Sequence, residues 1–235
     1  MPSRDNIEGA GRWKATAPSK VQFHMNAMRL LVLGATGGTG LHIVDQAVEH
    51  GLSVTAFVRS PDALKRFSDR ITVIRGNLLS SSELHRVIEN HDAVLSAFGP
   101  RQPISKEDET LLQRFATALT AAMLQSSIRR LVVESTAFLF KDAIFPPANL
   151  VGRLFFPAVV RDGTEMETIV QKSGLDWTIV RPPRLTDKTR TGKYRVGPGH
   201  LPPFGLSISR ADVADFMLRT IQDPASSKMI IGVSN

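Results

Sequence analysis

The chain has 235 residues, 42% of them hydrophobic, and its 29 lysines and arginines outnumber 22 acidic residues to give a formal net charge of +7. This length and apolar content fit one domain with a substantial core. The positive charge is spread along the chain without a basic helix or a run of cations, which favours a polyanionic small molecule over nucleic acid as the partner. The absence of cysteine excludes disulfides, thiol catalysis and thiolate metal sites.

No segment reaches the ~18 consecutive apolar residues that a membrane-spanning helix needs, so we expect a soluble, cytoplasmic protein with no membrane partner. Residues 1–27 are polar and irregular and lack the apolar core of a secretory signal, which predicts a flexible extension ahead of the first strand. The six histidines show no metal-ligand spacing, and no metal site is predicted.

The most informative stretch is RLLVLGATGGTG, an apolar strand that leads directly into a glycine-rich turn and a helix. Gly34 permits the tight turn, Gly37 lets the backbone approach a pyrophosphate, and Gly40 lets the helix pack closely on the strand. Free N–H groups and the dipole at the start of the helix favour phosphates there. A tight turn without a ligand is the alternative. The predicted cofactor-binding residues of this turn are Gly34, Thr36, Gly37, Gly38, Thr39 and Gly40.

The second predicted strand, 52–58, ends at Arg59 and Ser60. Chains that bind NAD usually carry an acidic residue here, about 20 residues beyond the glycines, to accept hydrogen bonds from the ribose hydroxyls. Arg59 can instead form a bidentate contact with a 2′-phosphate, and Ser60 can add a donor, so the sequence favours NADP(H). Thr39 and Arg75 are further candidates for this positive pocket. The alternative is that Arg59 ends a strand in solvent.

Strand-like and helix-like segments alternate along the rest of the chain, which predicts an α/β fold: a Rossmann-like, doubly wound parallel sheet in a single domain over residues 28–235. The remaining predicted strands are 71–75, 93–98, 131–134, 177–180 and 229–233, and the helices are 81–89, 107–125, 165–172 and one that Ser209 caps, with Asp212 completing a capping box. Ligands bind outside the carboxyl ends of such strands. The residues expected there are Asn77, Leu78, Ser96, Ala97, Phe98, Gly99, Ser135, Thr136, Pro182 and Pro183.

Two segments are predicted to form a small lobe on the substrate side. Residues 138–163 are rich in phenylalanine and proline, which indicates a wall or lid over an apolar substrate; a packed connection with buried phenylalanines is the alternative. Residues 184–207 are predicted as a second excursion. Six charged residues near these segments are interpreted mainly as solvated surface groups: Arg184, Lys141 and Arg161, which could otherwise meet an anionic group of a substrate, and Asp162, Glu165 and Glu167.

Three motifs carry a resemblance to a known family: GATGGTG at 34–40, SGLDWTIVRP at 173–182 and ISRADVA at 208–214. In this order they resemble the atypical short-chain dehydrogenase/reductases, the group that contains NmrA-like proteins and biliverdin reductase B/flavin reductase. The segment STAFL is similar to the one that carries a hydroxyl beside the nicotinamide in the flavin reductase type. The resemblance therefore implies that Thr136, with Ser135 beside it, lies at the reaction centre, and that Asn77 and Leu78 line the adenine and Pro182 the nicotinamide end.

One departure from the family pattern limits the chemistry. Ordinary members use a Tyr-x-x-x-Lys pair to protonate a carbonyl oxygen, whereas the single tyrosine of this chain, Tyr194, is followed four residues later by Pro198. We therefore predict an NADPH-dependent reductase that transfers hydride to a planar conjugated acceptor such as a flavin, tetrapyrrole or quinone, acting as a monomer or weak homo-oligomer. The alternatives are an NADP-binding redox sensor of NmrA-like type and a redox-neutral isomerase or epimerase on the same fold.

Overall fold

The computed structural model describes residues 28–100, 109–140 and 148–235. Its strands are β1 Arg29–Leu33, β2 Ser53–Val58, β3 Thr72–Arg75, β4 Ala93–Ser96, β5 Arg130–Glu134, β6 Asp176–Arg181, β7 Arg184–Thr186, β8 Arg195–Pro198, β9 Ser207–Ser209 and β10 Met229–Ser234. Its helices are α1 Gly38–Glu49, α2 Ser81–Ile88, α3 Leu111–Gln125, α4 Ala148–Phe155, α5 Pro157–Lys172 and α6 Arg210–Ile221. None of the helices within these ranges is long and apolar enough to cross a membrane.

The central sheet has the strand order β3-β2-β1-β4-β5-β6-β10-β8. Seven of its strands run parallel, and β8 pairs antiparallel with β10 at the edge. A separate parallel pair joins β7 and β9. The predicted Rossmann-like, doubly wound sheet in a single domain is therefore confirmed, with one antiparallel edge strand added.

Helices cover both faces of the sheet, which explains why β1 is apolar from Leu30 to Leu33. Leu30 and Val32 pack in a core under α1 and α6, whereas Leu31 and Leu33 pack in a second core under α2, α3 and α5. A strand buried on both faces has no solvent side on which to place polar residues. The carboxyl ends of the parallel strands consequently share one edge, and the predicted ligand-side positions lie along it.

Several predicted boundaries were wrong. The helix predicted over 165–172 begins at Pro157, because proline is well suited to the first helical position, and 138–163 therefore contains α4 and the first turns of α5. The helix predicted from residue 107 begins at Leu111. Strands β7 and β9 have three residues each, too few for a recognisable alternation. The predicted flexible extension 1–27 and the predicted surface residue Lys141 lie outside the described residues.

Candidate functional site

The glycine turn between β1 and α1 leaves no room for larger residues at two positions. Gly34 has a φ of +75°, and a Cβ on it would lie 2.6 Å from the backbone of Ala97. A Cβ on Gly40 would lie 2.1 Å from the carbonyl oxygen of Gly34. The turn is closed by the Gly37 N–H, which donates to the same oxygen at 2.9 Å. The roles predicted for Gly34 and Gly40, a tight turn and close packing of helix on strand, are confirmed.

The start of α1 is open to an anion. Gly37 stands at its N-cap, no side chain of the described residues caps it, and its first turn carries no acidic residue. The first N–H groups of a helix have no partner within the helix, and the helix dipole favours negative charge at this end. Gly37 and Gly38 are exposed, so a phosphate can approach this backbone closely.

A cation that was not among the predicted site residues lies across the start of α1. A Cβ on Gly38 would lie 2.5 Å from Cδ and 2.6 Å from Nε of Arg210, the first residue of α6. Its guanidinium donates to Oδ1 of Asp187 at 2.6 Å, and Asp187 is largely exposed. Arg210 therefore adds a positive charge to the helix N-terminus. The signal that could have found it is its place in the ISRADVA motif.

A carboxylate lies on the same side of the sheet. Thr39, in the first turn of α1, donates its hydroxyl to Oε1 of Glu134 at 3.2 Å. Burial raises the pKa of Glu134 to about 7, while the Thr39 hydrogen bond and the charge of Arg210 act in the opposite direction. The Thr39 side chain, predicted to reinforce a positive pocket, is buried and bonded to this carboxyl group, so its backbone N–H is the group left for a phosphate.

Two arginines, Arg59 and Arg75, lie at the carboxyl ends of β2 and β3, on the same edge of the sheet as the glycine turn. Arg59 and Ser60 follow β2 directly and are exposed. Arg75 is also exposed and is in register with Val58, the last residue of β2. Arg59 and Arg75 therefore lie at the ends of adjacent strands, as the predicted positive pocket requires.

The site residues predicted after β3, Asn77 and Leu78, stabilise the local structure. The side-chain carbonyl of Asn77 accepts a hydrogen bond from the Leu79 N–H at 2.9 Å, and the Asn77 N–H donates to Oε2 of Glu83 at 3.0 Å. Leu78 is 7% exposed and packs in the core under α2 and α3. Asn77 thus shapes the turn, and the side chain of Leu78 belongs mainly to the core.

The residues after β4 support the glycine turn. Ser96 is fully buried, and its hydroxyl accepts from the Phe98 N–H at 3.4 Å. The ring of Phe98 lies 4.5 Å from that of Phe115, centroid to centroid. Gly99 is exposed at the edge, and the Ala97 backbone contacts the turn at Gly34. Ser96 and Phe98 therefore fix the loop through packing.

The structure separates the two hydroxyls predicted to act together. Ser135 donates its hydroxyl to Oε1 of Glu167 at 2.6 Å, and Glu167 forms a buried ion pair with Arg181, with Nε to Oε1 at 2.9 Å. Thr136 has an extended backbone, so its side chain lies on the opposite side, the side of Glu134. The Thr136 hydroxyl accepts from the Phe138 N–H at 3.3 Å and keeps its own proton to donate.

The ends of β5 and β6 are joined beside these hydroxyls. The carbonyl of buried Pro182 accepts from the Ala137 N–H at 2.9 Å. Beyond them, Glu167 and Arg181 contribute to a cavity of about 360 Å³ on the α4 and α5 side. Its other lining residues are Leu139, Asn149, Arg153, Val160, Thr164, Thr168 and Gln171. Leu139, Asn149, Arg153 and Val160 belong to the region 138–163 that was predicted as the substrate-side wall, and the other lining residues lie outside it.

The aromatic residues of that region divide between the two alternatives. Phe140 is 4% exposed and lies under the guanidinium of Arg181, whose Cζ is 4.6 Å from the ring centroid. Phe155 is 70% exposed, and Phe156 stacks on Phe138 with centroids 5.4 Å apart. The segment therefore has a packed base and an apolar outer surface.

The predicted solvated acidic face was wrong for two of its three members. Asp162 is buried and accepts hydrogen bonds from the Leu112 and Gln113 N–H groups, both at 2.8 Å. Glu167 is buried in the ion pair described above. Glu165 is exposed, as are Arg161 and Arg184. Helical periodicity identified the helix but not which of its carboxylates another element would cover.

The hydroxyl of Tyr194 is bonded to a neighbouring carboxylate. Its hydroxyl donates to Oδ2 of Asp215 at 2.7 Å, and Asp215 also pairs with Arg219. Burial, followed by the nearby charge of Asp215, raises the pKa of Tyr194 above its ordinary value. A tyrosine with this partner and a raised pKa does not replace the Tyr/Lys pair.

Residues 34–224 match the family model described as NAD(P)H-binding. An uncharacterised chloroplastic protein of Arabidopsis thaliana is 29% identical to this chain over 214 residues, which are 87% of this chain and 76% of that protein. The photosystem II assembly factor Ycf39 of Synechocystis is 29% identical over 157 residues, 66% of this chain and 44% of its own length.

Three solved structures share the fold. A putative NAD-dependent epimerase/dehydratase of Bacillus halodurans has a TM-score of 0.75 at 24% identity, covering 88% of this chain and 94% of its own. A short-chain dehydrogenase/reductase of Veillonella parvula in complex with NADP has a TM-score of 0.74 at 18% identity, with coverages of 88% and 94%. ChuY, an anaerobilin reductase of Escherichia coli O157:H7, has a TM-score of 0.71 at 21% identity, with coverages of 88% and 96%. Because the family model covers most of the chain and the glycine turn is built as the fold requires, the chain belongs to the NAD(P)H-binding family, with the Rossmann-like fold of the atypical short-chain dehydrogenase/reductases.

Proposed function

We propose that the protein is an NADPH-dependent reductase of a planar conjugated small molecule such as a flavin, tetrapyrrole or quinone. The observation that carries the proposal is the open, glycine-lined start of α1 on the same sheet edge as exposed Arg59, which stands where an NAD site usually has an acidic residue. NADPH would supply the hydride, and the chain would supply orientation and an apolar slot.

The residues along the edge match the parts of NADP(H). The N–H groups at the start of α1 and the guanidinium of Arg210 suit the pyrophosphate. Arg59 and Arg75, at the ends of adjacent strands, suit the 2′-phosphate, because guanidinium groups bind phosphates through two parallel hydrogen bonds. Under this proposal, the pyrophosphate and the 2′-phosphate are bound by different arginines.

The kind of hydride acceptor that we propose depends on which side chains could donate a proton to it. Tyr194 is committed to Asp215, and the hydroxyl on the cofactor side at the end of β5 belongs to Thr136. A conjugated acceptor delocalises the charge that arrives with hydride, so it needs little proton assistance from the enzyme. One of the structural neighbours is an anaerobilin reductase, which supports a reductase function on this fold.

Within this proposal Thr136 contacts the nicotinamide or the acceptor, and Ser135 is a positioning residue. The Ser135 hydroxyl holds Glu167, and the Glu167–Arg181 pair fixes the wall of the adjacent cavity. Pro182 links the two strand ends and so sets the distance between this wall and Thr136.

The first experiment measures NADPH oxidation by the purified protein with FMN, riboflavin, biliverdin and a simple quinone, beside fluorescence titrations with NADPH and NADH. We expect turnover with at least one acceptor and tighter binding of NADPH. Because the Thr136 hydroxyl is proposed to orient the nicotinamide or the acceptor, Thr136→Ala should lower kcat by about 10²-fold with the NADPH Kd unchanged, and Thr136→Ser should restore most of the rate. Tight NADPH binding without turnover of any acceptor would replace the reductase by a redox sensor or a redox-neutral enzyme.

A further inference from the structure

We propose that Glu134 takes up a proton when a dinucleotide binds at the start of α1, so that the affinity for the cofactor falls as the pH rises above neutrality. The inference rests on the proposed NADP(H) site. It does not depend on which acceptor is reduced, or on whether the protein is an enzyme.

Glu134 lies where a bound pyrophosphate would act on it. It is the last residue of β5 and shares a strand face with Val132, which packs in the core under α1 and α6. Its Oε1 accepts the Thr39 hydroxyl at 3.2 Å, and Thr39 is in the first turn of the helix that presents its N-terminus to the phosphates. The residue as a whole keeps some exposed surface at this edge although its carboxyl group is desolvated, and a bound dinucleotide would cover that surface.

Among the residues that the structure describes, the charges around Glu134 are few and come from identifiable elements. Arg210 on α6 lies over Gly38 and is shared with Asp187 from the loop after β7. Asp212, two residues further along α6, is occupied by the N–H groups of Thr191 and Gly192. The other ionisable residues of these two helices are His42, Asp45 and Glu49 on α1 and Asp215 and Arg219 on α6, of which Asp215 and Arg219 pair with each other. The Glu167–Arg181 pair lies on the opposite face of the sheet.

Binding would change these surroundings in two ways that act in the same direction. The pyrophosphate brings negative charge and excludes water, and both effects favour the neutral form of a nearby carboxyl group. The pyrophosphate also competes with Glu134 for the positive charge of Arg210. Because the pKa of Glu134 is already raised by burial to about 7 in the free protein, a further rise leaves it protonated in the complex at neutral and mildly alkaline pH.

The sign of the effect follows from linkage. Well below pH 7 Glu134 is protonated in both states, so the Kd is independent of pH through this group. Above pH 7 the free protein has lost the proton and must regain it on binding, so the Kd rises by up to about tenfold per pH unit until the pKa of the complex is reached. Proton uptake approaches one per cofactor in that interval.

The test is isothermal titration calorimetry of the full chain with NADPH and with NADH between pH 6 and 9. The titrations are repeated in buffers of different ionisation enthalpy, because the dependence of the observed binding enthalpy on the buffer gives the number of protons taken up. NADH is included because it lacks the 2′-phosphate, a phosphate monoester whose own second pKa is about 6. Glu134→Gln keeps the shape and mimics the protonated form, so we expect a Kd independent of pH above 7 and no proton uptake. Glu165→Gln, at an exposed position on α5, is the matched control and should behave as the unmodified protein.

Each outcome decides the proposal. Proton uptake above pH 7 with both cofactors, lost in Glu134→Gln, supports it. Binding of either cofactor by the unmodified protein without proton uptake overturns it and leaves the proposed function standing, and this arm needs no variant to fold. Uptake that persists in Glu134→Gln and disappears in His42→Asn assigns the proton to the imidazole and also overturns it. Failure of both dinucleotides to bind at any pH overturns the proposed function as well.

Discussion

Arg59 and Arg210 are the two arginines whose positions suggest separate tasks. Arg59 is exposed after β2, beside the end of the strand that carries Arg75. Arg210 is only partly exposed, with its side chain against Gly38 and its guanidinium held by Asp187. A residue that reads the 2′-phosphate discriminates between the two cofactors, whereas one that contacts the pyrophosphate binds both equally.

We therefore predict that one of two substitutions of the same kind changes the selectivity between NADPH and NADH and that the other does not. Arg59→Ala should weaken NADPH binding by about 1.5–3 kcal/mol, the value of a charge-assisted hydrogen bond, and leave NADH binding nearly unchanged. Arg210→Ala should weaken both by similar amounts. Fluorescence titration of each variant with each cofactor gives the four values, and each variant serves as the control for the other. An equal loss for both cofactors in Arg59→Ala would contradict the assignment of the 2′-phosphate.

At the scale of elements, buried polar side chains fasten the ends of helices to their neighbours. Asp162 on α5 accepts the N–H groups of Leu112 and Gln113, so it acts as the N-cap of α3 from another helix, and Thr110 makes no side-chain cap of its own. At the far end of α6, Arg130 of β5 donates to the carbonyl groups of Thr220 and Ile221. Both helix ends thus depend on contacts that are distant in sequence.

Asp162→Ala should lower the free energy of unfolding by about 1–2 kcal/mol, because two helix N–H groups lose their acceptor. Urea unfolding followed by circular dichroism measures the change, and Glu165→Ala on the exposed side of the same helix should alter it by less than ~0.5 kcal/mol. If the two variants unfold at the same urea concentration, the Asp162 cap contributes nothing to the free energy of unfolding. Helix α3 carries Phe115, which supports Phe98, so Asp162→Ala should also weaken cofactor binding slightly.

At the scale of the whole molecule, Asp212 fastens the segment between β7 and β9 to the helical layer. Its carboxylate accepts the Thr191 and Gly192 N–H groups and the Thr191 and Ser209 hydroxyls. The Asp212 N–H donates to the Ser209 hydroxyl as predicted, but the reciprocal half of the capping box was wrong, because the Ser209 N–H donates to Asn235. The Asp212 carboxylate can therefore bind the segment between β7 and β9, which includes Asp187.

The pH dependence of stability follows from this arrangement. Burial by itself raises the pKa of Asp212, but the hydrogen bonds from Gly192, Thr191, Ser209 and Asn235 outweigh it and hold the pKa below the ordinary value. The stabilisation is therefore complete above the unfolded-state pKa of about 4 and is lost as the pH falls through the lower folded-state pKa.

Asp212→Asn should lower the free energy of unfolding by about 2–4 kcal/mol at pH 7, since an uncharged amide replaces a carboxylate with several donors. Below pH ~4 the difference from the unmodified protein should shrink, because the native carboxyl group becomes neutral too. Urea unfolding at several pH values measures both effects, with Asp69→Asn at an exposed position as the control. If the difference in the free energy of unfolding between Asp212→Asn and the unmodified protein stays constant down to pH ~3, the charge of Asp212 does not stabilise the fold.

The sequence by itself determined the seven parallel strands of the sheet, the glycine turn and the cations at the ends of β2 and β3. These features are local: alternating apolar segments set the elements, Gly34 and Gly40 are required by the turn in which they stand, and Arg59 follows its strand directly. The parallel order then brings the strand ends to one edge without further information. That is why the positions of the predicted site residues along this edge could be anticipated.

Only the tertiary structure decided which side chains are available for chemistry there. Ser135 and Thr136 are neighbours with similar hydroxyls, but the Ser135 hydroxyl is bonded to Glu167 of another helix. Arg210 reaches the start of α1 because α6 packs beside α1, and the carboxyl group of Glu134 is bonded there to Thr39; no local pattern encodes either contact. Burial, hydrogen-bond partners and the charge state of a carboxyl group depend on elements that meet across the chain, and for that reason they are properties of the fold.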